Sequence, residues 1–167
     1  MNSEAITLFL AKQEITEQIY RYCRAVDRID VEMGYSVWAE NAIADFEPLS
    51  YVGDGRGFID WLAPVHHSFA CTSHQVTNIL IAVEGDEADS ESCFLVVART
   101  KEEDGAEMDR MIFGRYLDRW VRQNGRWLIR ERKCVIDMSN TVLVATPWLS
   151  ANGRRDRSDP SYQLRVE

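Results

Sequence analysis

The chain has 167 residues, enough for one domain with a sizeable buried core and no need of disulfide or metal staples. Its composition, 46% hydrophobic and 28% charged, is that of an ordinary globular protein, and five Trp with six each of Tyr and Phe add aromatic bulk. A formal net charge of -8 argues against nucleic acid or an anionic membrane as the main partner, since both demand a basic surface. The Arg-rich run at 153–157 is too short and local to reverse that.

Residues 4–30 contain no Pro or Gly, and Leu8, Ile15, Ile19, Tyr22 and Val26 recur at the spacing of one helical stripe. Ser3 is a plausible N-cap. Val31 to Glu40 reads as a second, short helix with a break at Gly34, followed by a strand from Ala42 to Phe46 and a brief partner from Leu49 to Val52. Gly53-Asp54-Gly55-Arg56-Gly57 reads as a plain turn, because it lacks the Lys-Ser/Thr and the spacing of a phosphate-binding loop. Phe58 to Phe69 resembles a helix that Pro64 interrupts or bends.

From Cys71 onward the pattern is strand-like, over roughly 73–84, 91–101, 107–122 and 126–139. Gly85-Asp86, Asp104-Gly105 and Asn124-Gly125 punctuate these strands, and the last is the strongest hairpin signal in the chain. Helices followed by long consecutive antiparallel strands predict an α+β domain with helices packed on one face of a curved sheet. The expected division is a domain over 1–146 and an extended polar arm over 147–167.

Cys23, Cys71, Cys93 and Cys134 form no C-x-x-C pair and no zinc spacing, and three histidines in this placement make no metal motif. No leader-like N-terminus and no apolar run of roughly 18 residues is present. The expectation is a reduced, cytoplasmic protein that uses no metal and no cofactor. What remains is acid–base chemistry by a histidine that a carboxylate orients. The strand Ser73 to Val83 alternates, which puts His74, Val76, Asn78, Leu80 and Ala82 on one face, as in the lining of a polar-tipped pocket. An aspartate accepting the ring N–H of His74 would fix its tautomer. Helical periodicity slightly prefers Asp30 over Asp27 for this, because Asp30 lies nearer the apolar stripe. Trp38, Phe46, Tyr51, Trp61, Phe69 and Phe113 are available as pocket walls.

The run Tyr22-x-x-x-x-Asp27-Arg28-x-Asp30, the segment His74-x-x-Thr77-Asn78, and the last hairpin from Gly114-Arg115-Tyr116 through Asn124-Gly125-Arg126-Trp127 to Arg132 and Asp137 occur in that order. Together they resemble the SnoaL-like branch of the nuclear transport factor 2 superfamily, over about residues 4–140. The resemblance implies a single-domain cone-shaped roll, a curved sheet wrapped around a long N-terminal helix and enclosing a deep pocket. Members such as scytalone dehydratase, bile-acid dehydratase and lindane dehydrochlorinase carry out eliminations without cofactors. By that resemblance the catalytic residues are Asp27, His74, Tyr22 and Arg132, with Asp27 preferred to Asp30.

The expected activity is therefore that of a lyase on a small, hydrophobic, aromatic or polycyclic, hydroxylated molecule, by dehydration or by retro-aldol-type loss of an aldehyde such as formaldehyde. Isomerase or cyclase chemistry on the same fold is a further alternative. So is a non-catalytic role, as the small β subunit of a ring-hydroxylating dioxygenase or as a ligand-binding module. A homodimer or homotrimer is the expected assembly.

Overall fold

The computed structural model describes residues 3–145 and 149–165. The first helix, α1 (Ser3–Arg28), buries Ile15, Gln18, Ile19, Tyr22, Cys23, Ala25 and Val26, a stripe spaced at three and four residues. Leu8, the first member of the predicted stripe, is 42% exposed, and all of residues 3–10 lie outside the core. Burial begins only where the sheet starts to cover the helix.

Ile29 ends α1 in the left-handed region, at φ +53°. The amide of Asp30 then donates to the Ala25 carbonyl at 2.8 Å, closing the helix end. This conformation is costly for a β-branched residue, and it turns Asp30 out of the helical register. Asp30 instead caps α2 (Val31–Ser36), its carboxylate accepting from the Met33 amide at 3.2 Å. The helix expected to reach Glu40 stops earlier because strand β1 (Trp38–Phe46) starts at Trp38. Gly34 does not break α2. A Cβ there would meet the Ile59 side chain at 3.0 Å, so its absence lets the third helix approach closely.

A 3-10 turn (Glu47–Leu49) leads to β2 (Tyr51–Asp54), and Asp54 caps α3 (Gly55–His67) by accepting from the Gly57 amide at 2.7 Å. The glycines expected to form a separate turn are thus largely the first turn of a helix. Four long strands follow: β3 (Cys71–Glu84), β4 (Glu87–Lys101), β5 (Glu107–Gln123) and β6 (Arg126–Leu143). Asn124 and Gly125 both take positive φ, +52° and +79°, the geometry of a two-residue hairpin matched to strand twist. The sheet order is β2-β1-β6-β5-β4-β3, and among the described residues only β1 and β6 pair in parallel.

Two irregularities decide which side chains face inward. The ladder between β3 and β4 shifts between Thr77 and Leu80, with Asn78 at φ +52°. Upstream of the bulge Thr72, His74 and Val76 turn inward, and downstream Ile79, Ile81 and Val83 do, so strict alternation fails at Asn78. In β6 the ladder slips beside Arg130, which brings Arg132 onto the same buried side as Trp127 and Ile129. Simple parity assigns Arg132 to the opposite face, and the bulge reverses that.

The helices cover one side of the sheet, α1 against β3 and β6 and α3 against β1. The expected boundary at Thr146 and Pro147 lies outside the described residues. The described part of the arm, from residue 149, returns to the C-terminal end of α1, where Tyr162 Oη donates to Asp30 Oδ2 at 2.8 Å and Arg28 lies 3.6 Å from Asp159. The Tyr162 ring is flanked by the guanidinium groups of Arg24 and Arg157, at 5.1 and 4.9 Å.

Candidate active site

Asp27 sits in the last turn of α1 and reaches the start of β3. His74 Nδ1 lies 2.7 Å from Asp27 Oδ1, and the His74 backbone amide donates to Oδ2 at 2.9 Å. The Thr72 hydroxyl donates to Oδ1, also at 2.9 Å. Burial by itself would push the Asp27 carboxyl up, but the hydrogen bonds from the His74 ring and backbone and from Thr72 hold it below the usual range. Asp27 is therefore the carboxylate that meets His74, and Asp30 is a helix cap. With Nδ1 engaged, Nε2 is the remaining ring nitrogen of His74, and among the described residues it has no hydrogen-bond partner.

His74 borders a cavity of about 370 Å³, within the usual size of small-molecule sites. Of the predicted walls, Phe46, Trp61 and Phe69 line it. Trp38, Tyr51, Asn78 and Phe113 do not. Trp38 is 1% exposed and packed behind α3, where a Cβ on Gly55 would strike its ring at 2.4 Å. Tyr51 packs edge-on to Phe58 while its hydroxyl donates to the Asp54 carbonyl at 2.8 Å. Asn78 is turned out by the β3 bulge, and Phe113 points away from the face on which Ile112 and Tyr116 line the cavity.

Sequence reasoning passes over Phe58, Phe94, Tyr116, Thr72 and His66, all of which border the cavity. Phe46 stacks on Phe58 at 3.8 Å and Phe94 on Tyr116 at 4.3 Å, which gives the cavity flat aromatic walls. Among the described residues Arg110 is the one arginine of the lining, and its guanidinium is held by Glu102 at 3.0 Å. The alternation of β4 and β5 is the signal that could have found Phe94 and Tyr116.

His66 forms a second imidazole face beside the first, its ring centre 5.9 Å from that of His74. Its Nδ1 lies 2.9 Å from the Val26 carbonyl, an acceptor only, so Nδ1 carries the proton and Nε2 the lone pair. Burial, helped by the neighbouring His74, pushes His66 down to about 4, so its ring is neutral near pH 7.

Tyr22 lines the cavity, and burial raises its hydroxyl pKa despite the opposing charge of Arg132, so it remains a donor. Arg132 differs from expectation. It is fully buried beneath the lining, makes two bonds to Asp118 at 2.6 and 2.8 Å, and lies 4.3 and 4.2 Å from the Tyr22 and Tyr116 rings. Its charge reaches the cavity through those rings and not by direct contact.

Solved structures share this architecture. A protein from Novosphingobium aromaticivorans, provisionally assigned as a scytalone dehydratase, is 24% identical, with 89% of this chain and 99% of that chain covered and a TM-score of 0.73. A hexachlorocyclohexane dehydrochlorinase, LinA type 3, from Novosphingobium barchaimii LL02 is 15% identical over 89% and 99% of the two chains, with a TM-score of 0.73. The β subunit of a provisionally assigned aromatic-ring-hydroxylating dioxygenase from N. aromaticivorans is 19% identical over 79% and 92%, with a TM-score of 0.62. These likenesses establish the fold alone. No curated protein matches the sequence. Residues 9–133, well over half of the chain, match the SnoaL-like domain, and the chain belongs to that family, within the nuclear transport factor 2-like superfamily.

Proposed function

We propose that this protein is a cofactor-free lyase that eliminates water, or a small aldehyde, from a hydrophobic hydroxylated aromatic or polycyclic substrate. The observation that carries the reading is the 2.7 Å contact between Asp27 and His74 Nδ1 at the wall of an aromatic cavity. A carboxylate so placed fixes the tautomer with Nε2 unprotonated and balances the imidazolium that forms.

In the dehydration, His74 Nε2 takes a proton from the carbon adjacent to the one bearing the hydroxyl. The C–H electrons form the new double bond, and the hydroxyl departs as water with a proton from Tyr22 or from the imidazolium. Tyr22 is suited to hydrogen-bonding the leaving oxygen because its hydroxyl stays protonated. For aldehyde loss, the same base takes the hydroxyl proton and the O–H electrons form the aldehyde C=O. The C–C bond breaks, its electron pair passes to a carbonyl conjugated with that carbon, and the resulting enolate takes a proton back from the imidazolium. Arg132 serves through Tyr22, by lowering the cost of negative charge on the phenol oxygen. His66 Nε2 can accept a hydrogen bond from a substrate hydroxyl, which favours an alcohol over a halide. Phe46, Trp61 and Phe69 bind the ring system.

The dioxygenase-subunit reading has one observation in its favour, the shared fold of the Novosphingobium β subunit. A structural subunit, however, has no use for a carboxylate-oriented histidine at an apolar cavity. The test is a panel of aryl and polycyclic alcohols with matched chlorides, following alkene absorbance and aldehyde release by wild type and His74→Ala. Turnover of alcohols that falls about 10²- to 10⁴-fold in His74→Ala supports the proposal. Turnover that survives the substitution contradicts it.

A further inference from the structure

We propose that Arg155 is a positioning residue of the His74–Asp27 pair, so that the C-terminal arm is a working part of the active site. The inference rests on the catalytic reading above. Arg155 stands 128 residues from Asp27 in the chain, yet its Nε donates to the Asp27 carbonyl at 3.2 Å. Nη1 donates to the carbonyls of His66 and of Phe69, the latter at 3.0 Å. Nη2 donates to the Thr72 hydroxyl at 3.2 Å. These acceptors belong to the end of α1, the end of α3 with the turn after it, and the start of β3. They are the three segments that carry Asp27, His66 and His74.

The carbonyls have a reason to take a cation. The last carbonyls of a helix lack intrahelical donors and form the negative end of its dipole, and here two such ends converge beside the site. A guanidinium offers five donors in a rigid fork, so one side chain reaches all of them.

The bond to Thr72 gives the clamp a consequence for chemistry. Guanidinium can only donate, so the Thr72 oxygen accepts from Arg155 and turns its one proton elsewhere. That proton points to Asp27 Oδ1, 2.9 Å away, the same oxygen that holds His74 Nδ1. Arg155 thus sets the Thr72 hydroxyl, the hydroxyl anchors the carboxylate, and the carboxylate fixes the imidazole. A clamp that served packing alone would need only the carbonyls.

The experiment follows the His74 Nδ1–H proton by NMR in the full-length protein, comparing wild type with Arg155→Ala, Arg155→Lys, Thr72→Val and Asp27→Asn. In wild type the proton is downfield and slow to exchange with water. In Arg155→Ala its exchange rises about tenfold or more while near-ultraviolet circular dichroism stays that of the folded protein. Arg155→Lys changes in the same direction, because one ammonium cannot serve four acceptors, and it decides the matter if the alanine variant does not fold. Thr72→Val reproduces the increase without touching the carbonyl clamp. Unchanged exchange in the arginine variants, or in Thr72→Val, overturns the proposal. If Asp27→Asn leaves the resonance as in wild type, it is the His74–Asp27 reading that fails, whatever Arg155 does.

Discussion

Acidification should weaken this fold in part through His66. It is 6% exposed, its Nδ1–H is held by the Val26 carbonyl, and its ring faces that of His74. Burial, with the neighbouring imidazole, pushes it down to about 4 from the ordinary 6.5. Between those values the unfolded chain binds the proton and the folded chain does not, so protons favour unfolding. The contribution is fully present above pH 6.5 and is lost as pH falls toward about 4. The separation is worth about 3 kcal/mol, a large share of the roughly 5–15 kcal/mol that stabilises a domain of this kind. Urea unfolding at several pH values between about 7 and about 4.5 measures it. Other groups titrate in that range, so the informative quantity is the difference between wild type and His66→Gln, with the exposed His67→Gln as control. That difference should shrink by about 2–3 kcal/mol across the range. Parallel stability curves for wild type and His66→Gln would refute the reasoning.

The buried Arg132–Asp118 pair makes a second prediction. Arg132→Met leaves Asp118, 3% exposed, as an uncompensated charge and should cost about 3–5 kcal/mol in urea unfolding. Replacing Asp118 by Leu in the same chain should recover much of the loss, and a single substitution costing under about 1 kcal/mol would sink the account of this pair. Gly114→Ala should destabilise by about 2 kcal/mol or more, because a Cβ there would lie 2.1 Å from the Val135 carbonyl oxygen. Thermal unfolding measures this, and an unchanged midpoint would show that the register shift between Phe113 and Gly114, where β5 pairs with β6, can relax.

Much of this architecture can be read along the chain. The gap-free helical stretch, the four long strands and the Asn124-Gly125 hairpin follow from local rules that the structure obeys. The site is less legible, for three identifiable reasons. A helical wheel carries Asp30 onward at about 100° per residue, but Ile29 leaves the helical region and ends the wheel before Asp30. Bulges reverse the parity of Asn78 and Arg132, and nothing in either local sequence announces an inserted residue. Arg155 reaches the site across most of the chain from a segment whose polar, Pro-containing composition reads as a tail. Strand alternation already singles out His74, and the motif resemblance picks out Asp27 where helical periodicity prefers Asp30, because it carries spacing that the local rules lack.

The most direct measurement is a double-mutant cycle on turnover, comparing wild type, His74→Ala, Asp27→Asn and the double variant on the alcohol with the highest kcat/KM. If Asp27 acts only by orienting and charging His74, each single substitution lowers kcat by about 10²- to 10⁴-fold, and the double variant is no slower than His74→Ala. Independent, multiplying losses, or an Asp27→Asn enzyme as fast as wild type, would show that the two residues do not work as one unit.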